Sequence, residues 1–168
     1  DPLDGTTNYV LGNNYFATSI ALAKGPELLV GVVYSPVAGE LYTAVKGRGA
    51  YLNGKRLAVS KKGTIGQIAV CSDLGYSLER RAKTLKVLSS LIGAKAIRLK
   101  GCGALALCEL AAGSDACYFH VGSKSYDYAA GALLIREAGG AVKDFDGKDW
   151  LPETKGGIVA GDKHIITQ

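Results

Sequence analysis

Eight consecutive residues, Asp1-Pro2-Leu3-Asp4-Gly5-Thr6-Thr7-Asn8, combine hard oxygen donors with a glycine turn, which is the equipment for holding a cation beside a phosphate. Pro2 fixes its own φ and biases Asp1 towards extended backbone, so the stretch should leave a strand end and turn sharply at Asp4-Gly5. Asp1 and Asp4 then converge on one point. Together with the main-chain carbonyl of Leu3 they suit Mg²⁺, which takes oxygen ligands and keeps several waters for itself. Gly5, Thr6 and Thr7 open a helical turn whose unpaired N–H groups and dipole favour an anion. The plainer reading of the same string is ordinary turn chemistry, with Asp4 as a helix N-cap.

A second stretch carries a further carboxylate. Tyr126-Asp127-Tyr128-Ala129-Ala130-Gly131 continues to Glu137-Ala138-Gly139-Gly140. Asp127 falls at the start of a helix whose small residues allow close packing against a neighbour, and taken alone it reads as an N-cap. The segment Gly101-Cys102-Gly103-Ala104-Leu105-Ala106 also fits a relaxed dinucleotide-binding fingerprint, but that fingerprint expects an acid about 20 residues on, where this chain has His120.

The opening string resembles the D-P-[LIV]-D-G-T-[TS]-N signature of the inositol monophosphatase family of metal-dependent phosphatases. The second stretch resembles that family's W-D-x-A-A-G and E-A-G-G motif, with Tyr126 in place of Trp. The resemblance implies an α/β (α+β) chain with the layered α-β-α-β-α sugar phosphatase fold. It also implies hydrolysis of a phosphomonoester with Mg²⁺, two or three ions, Mn²⁺ being an acceptable replacement. Asp1 would bridge two ions, Leu3 would lend its carbonyl, and Asp4 and Asp127 would complete the metal set. Thr6 would orient the attacking water, and the Gly5 and Thr6 amides would hold phosphate oxygens. The implied substrate is inositol monophosphate or a related sugar phosphate, with a fructose-1,6-bisphosphatase or dual-specificity enzyme as the alternative. Thr7-Asn8 looks like that branch, since the adenosine bisphosphate branch more often has a lysine after D-G-T.

Two departures bear on substrate. Gly101-Cys102-Gly103 stands where the family usually has Gly-Ser-Ala or Gly-Thr-Ala against the substrate's ring, and a thiol is a weaker hydrogen-bonding group than a hydroxyl. His120, with Lys124 close by, stands where members acting on inositol carry an acid, which suits a second phosphate better than an inositol hydroxyl. The resemblance further implies that residues 1–168 are a single phosphatase region, the C-terminal part of a longer polypeptide bearing N-terminal helices and a Glu-Glu segment, and a homodimer. A chain with no methionine that starts inside a motif points the same way. A non-catalytic metal- and phosphate-binding fragment is the alternative of another class.

Composition limits the partners. A net charge of +5 invites a nucleic-acid reading, but the basic residues are scattered and not interleaved with aromatics. They read as a solvated surface that also attracts anionic substrates, so a small-molecule phosphate ester is expected and nucleic acid is not. Cys71, Cys102, Cys108 and Cys117 show no C-x-x-C pairing and read as reduced, buried residues. No apolar run approaches a membrane span and no N-x-[ST] sequon occurs. A cytoplasmic protein with no membrane partner is the expectation.

The elements that must position these residues fall into two halves. Alternation over Phe16–Ala23, an apolar run Leu28–Tyr34 expected to be covered on both faces, Leu41–Val45, and a hairpin at Asn53-Gly54 predict an antiparallel meander. Strands at 68–71, 96–99, 116–119, 141–145 and 158–160 alternate with helices at about 78–91, 103–113 and 126–138, the last stopped by Gly139-Gly140. Arg80, Arg81 and Lys83 are expected to face water.

Overall fold

The computed structural model describes residues 1–61, 63–122 and 124–166. The opening turn leads into a short helix α1 (Thr6–Val10) and then a meander of five strands: β1 (Thr18–Lys24), β2 (Glu27–Ser35), β3 (Glu40–Val45), β4 (Ala50–Leu52) and β5 (Lys55–Arg56). Each strand pairs antiparallel with the next, in the order β1-β2-β3-β4-β5. The β4–β5 turn is Asn53-Gly54, with φ of 47° and 80°. Two successive positive φ values are what a tight hairpin needs to match the strand twist.

The second half follows as β6 (Ala69–Ser72), α2 (Leu78–Ser90), β7 (Ala96–Leu99), α3 (Gly103–Ala111), β8 (Cys117–His120), α4 (Ser125–Glu137), β9 (Ala141–Lys143) and β10 (Ile158–Gly161). Its sheet has the order β7-β6-β8-β10-β9. β6 runs parallel to β7 and β8, whereas β10 is antiparallel to β8 and β9. Helices α3 and α4 fill the space between the two sheets, and α2 packs through Leu88 against Ile68, Val70 and Phe119 on the far face of the second sheet.

Small residues set the spacing of these layers. A Cβ on Gly31 of β2 would lie 2.8 Å from the Ala130 carbonyl oxygen, and one on Gly131 would lie 2.6 Å from Leu107. These contacts explain why α4 carries Ala129, Ala130, Gly131 and Ala132 in succession: a larger side chain would push α4 off β2 or off α3. The end of α4 is pinned by Glu137, whose two carboxylate oxygens accept the Gly47 and Gly49 amides at 2.8 Å each.

The layered class matches the expectation from the motifs, with one correction. β2 is central, but it is not covered on both faces. Its inner face buries Leu28, Gly31, Val33 and Ser35, while the outer face of the same sheet leaves Ile20 62%, Leu22 56%, Tyr34 42% and Leu41 42% exposed. The apolar run therefore marks a strand with apolar residues on both sides, only one of which meets a helix among the described residues. Boundaries also moved. β1 starts at Thr18 rather than Phe16, because Ala17 is occupied by a bridge to Asp4, and the 141–145 strand ends at Lys143.

Candidate active site

The opening turn is held in place from below. The Asp4 amide donates to the Ala17 carbonyl at 2.8 Å, and the Ala17 amide returns a bond to Asp4 at 3.0 Å. Asn8 Nδ2 donates to the carbonyls of Tyr15 at 2.7 Å and Lys100 at 2.8 Å, which ties the turn to the loop before α3. Gly5 sits at φ 84°, and a Cβ there would meet the Tyr15 carbonyl oxygen at 2.9 Å and Cys102 Cβ at 3.0 Å. Both the left-handed backbone and the crowding demand glycine.

Asp4 does not cap its own helix. Its Oδ2 accepts the Ala104 amide at 2.7 Å, supplying one of the partners that the first turn of α3 lacks, and its Oδ1 accepts the Gly5 amide at 2.8 Å. The Cys102 thiol donates to the same Oδ2 at 3.2 Å. The N-cap reading of Asp4 was thus half right: the capped helix is α3, about a hundred residues away in sequence. Burial raises the Asp4 pKa above the ordinary carboxylate value, opposed by the Ala104, Cys102 and Gly5 bonds.

Asp127 lies in the first turn of α4, and its Oδ2 accepts the Lys124 amide at 3.2 Å. Its pKa is also raised, by burial first and then by the nearby charge of Asp4. Asp1 accepts the Leu3 amide at 2.8 Å, and Thr6 Oγ1 donates to the Leu3 carbonyl at 2.9 Å. Asp1, Asp4 and Asp127 all line one cleft of about 550 Å³, shared with Gly5, Thr6, Gly101, Gly103 and His120. An adjoining hollow is lined by Asp1 and, among the described residues, otherwise by uncharged side chains.

Three expected roles differ in detail. Cys102 is 1% exposed and turned onto Asp4, so its thiol meets that carboxylate and not the cleft. The Gly5 N–H is taken by Asp4 Oδ1, and therefore does not point freely at a phosphate. Leu3 presents its carbonyl to the Thr6 hydroxyl and is not itself a lining residue.

Sequence reasoning missed Asp73. It lines the cleft from the end of β6, accepting the Gly101 amide at 2.6 Å and the Tyr118 hydroxyl at 3.1 Å. An acid just past a strand end, followed by Leu74-Gly75, was the available signal. Gly103 lacks a side chain for packing reasons, since a Cβ would lie 2.8 Å from the Tyr128 ring. That accounts for the second glycine of the dinucleotide-like string without any nucleotide.

The donor set suits a hard cation. Oxygen donors dominate, Asp4 and Asp127 are held above their usual pKa by burial first and then by a nearby carboxylate, Asp73 for Asp4 and Asp4 for Asp127, and a carboxylate with about four acceptor sites keeps capacity at Asp4 after its three bonds. Among the described residues, no three such side chains are yet gathered into a metal-binding group; they line the same cleft without forming a closed cage.

Similarity to known proteins decides the family. The chain matches the inositol monophosphatase family over residues 1–168. It belongs to that family. Nus factor SuhB of Pasteurella multocida is 42% identical over 171 residues, covering 100% of this chain and 63% of the relative. The Escherichia coli K12 protein of the same name is 39% identical, covering 99% of this chain and 62% of its own. The native structure of SuhB from Bartonella henselae superposes with a TM-score of 0.91 at 36% identity over 98% of this chain and 65% of that one. An IMPase of Thermotoga maritima gives 0.89 at 30%, covering 99% and 64%. The chain thus spans less than two thirds of the length of these relatives. No helix among the described residues is long and apolar enough to cross a membrane.

Proposed function

We propose that this chain forms the core of a Mg²⁺-dependent phosphomonoester hydrolase acting on an inositol phosphate or a related sugar phosphate. The observation that carries the reading is the placement of Asp1, Asp4 and Asp127, drawn from the two motifs, on one cleft with Thr6. Asp1, Asp4, Asp127 and the Leu3 carbonyl would hold the cation. When bound, Mg²⁺ supplies charge to the phosphoryl oxygens and lowers the pKa of water.

The chain's own residues do the rest. The Gly5 and Ala104 amides fix the orientation of the Asp4 carboxylate from behind, so that its remaining acceptor capacity is spent on the cleft. Thr6 Oγ1 donates its hydrogen bond to the Leu3 carbonyl, which leaves its lone pairs free to accept from a water and orient it. The Thr6 amide begins α1, where main-chain N–H groups lack intrahelical partners and favour a phosphate oxygen. The same reading takes the protein as a cytoplasmic homodimer with fructose bisphosphate as the alternative substrate.

The relatives' name, Nus factor, favours a second reading in which the protein acts through a macromolecular partner and the cleft is a binding site. Phosphate release from a panel of inositol and sugar phosphates by the natural protein separates the two. Turnover that requires a divalent cation is expected. No release from any ester would leave the second reading.

A further inference from the structure

Outside the lining of the cleft, the fold buries a second set of charges that the chemistry described so far does not use. Asp115, between α3 and β8, is 1% exposed. Its Oδ2 accepts Lys100 Nζ at 2.9 Å, and its Oδ1 accepts Arg98 Nη1 at 2.9 Å. Lys100 also pairs with Glu109, which is the one charged residue of α3 and the one residue of that helix left partly exposed. Charges held this far from water need partners, and here two acids meet two bases. Burial by itself would lower the Lys100 pKa, but the bonds to Glu109 and Asp115 outweigh it and hold the group above the ordinary lysine value, so the ammonium stays charged.

Two backbone carbonyls connect this set to the opening motif. Asn8 Nδ2 donates to the carbonyls of Tyr15 and Lys100, and the Lys100 ammonium lies 5.6 Å from the centroid of the Tyr15 ring. The two residues whose carbonyls suspend the opening turn are thus held to each other by a cation–π contact. The chain then runs from Lys100 directly to Cys102 and Ala104, which donate to Asp4 Oδ2 at 3.2 Å and 2.7 Å. A displacement of Lys100 would therefore move the partners of Asn8 and the partners of Asp4 together. Arg98 differs: it binds the same Asp115, but it has no ion pair with Glu109 and no ring contact with Tyr15 among the described residues.

We propose that Lys100 is a positioning residue for the Asp4 carboxylate. Its ammonium, held by Glu109 and Asp115, fixes Tyr15 and the segment 100–104, and through them the opening turn and the direction in which Asp4 faces the cleft. The inference rests on the proposed metal-dependent phosphatase reading and adds to it a determinant of cation affinity that lies outside the cleft. Lys100 touches neither cation nor substrate.

The test measures Mn²⁺ binding to the natural protein by calorimetry, well below the melting temperature of every variant compared. Lys100→Met keeps an unbranched side chain and removes the charge. It should weaken Mn²⁺ binding at least ~tenfold, the lower end of what losing a group behind a metal ligand costs, and Lys100→Arg should recover part of the loss. Arg98→Gln takes a charge from the same Asp115 and should change the affinity by less than about threefold. Unchanged affinity in Lys100→Met overturns the proposal, and so does an equal loss in Arg98→Gln, because the ion pairs would then act through general stability alone. Glu109→Gln, at a partly exposed position, decides the matter where Lys100→Met does not fold: a loss of at least ~threefold sustains the proposal and no loss overturns it. If the natural protein binds no Mn²⁺, the metal reading fails separately, and hydrogen exchange at the Gly5 and Ala104 amides, both bonded to Asp4, still tests the positioning. Faster exchange of these amides in the Lys100 or Glu109 variant but not in Arg98→Gln sustains it. Unchanged exchange, or an equal rise in Arg98→Gln, overturns it.

Discussion

Asp4→Asn is expected to lower Mg²⁺-dependent phosphate release by the natural protein at least ~10²–10³-fold, the usual range for removing a group that positions charge in a transition state. The substitution keeps the shape but removes the charge a cation needs. It has a second, smaller effect that only the structure discloses. Both oxygens of Asp4 accept main-chain N–H groups, from Gly5 and Ala104, and an amide has only one oxygen to offer. One N–H must then face an NH₂ group, at a cost of about 1 kcal/mol. A modest drop in melting temperature should accompany the large drop in turnover. Near-normal turnover at saturating Mg²⁺ would remove Asp4 from the metal site.

Mg²⁺ or Mn²⁺ should raise the melting temperature by about 5–10 °C at a concentration near 100 times its dissociation constant. A ligand at that excess contributes ~2.7 kcal/mol, and chains of this size shift ~2–4 °C per kcal/mol. The gain should shrink as pH falls. Asp4 and Asp127 have pKa values raised by burial, so without a cation they favour the folded state while protonated, and that contribution is lost as pH rises through their raised values. The cation restores it by pairing with the ionised forms. Protons compete for the same oxygens, so the cation's increment is full at neutral pH and disappears once pH drops below the raised values. A shift equally large at neutral and acid pH would mean that the cation binds elsewhere.

Much of this was legible in the residues, for identifiable reasons. Asn53-Gly54 announced its hairpin because few other dipeptides accept two positive φ values. The run Ala129-Ala130-Gly131-Ala132 announced a crowded helix, and the crowding is now located at Gly31 and Leu107. Asp1, Asp4 and Asp127 could be assigned to one cleft because their motifs are distinctive. What was hidden depends on contacts distant in sequence. The bond from Ala104 to Asp4 joins residues 100 apart, and no local pattern encodes it. Cys102 read as a substrate contact by its position in the motif, whereas its thiol packs inward on Asp4.

The central claim is that the acids of this cleft hold the cation. A crystal of the natural protein grown with Mn²⁺ and measured for anomalous scattering tests it most directly. The account predicts a peak within coordination distance, about 2.1 Å for an ion of this kind, of carboxylate oxygens from Asp4 and Asp127, with Asp1 on the same ion or an adjacent one. A Mn²⁺ peak that touches none of these three carboxylates, or no peak at all in the cleft at saturating Mn²⁺, would contradict it.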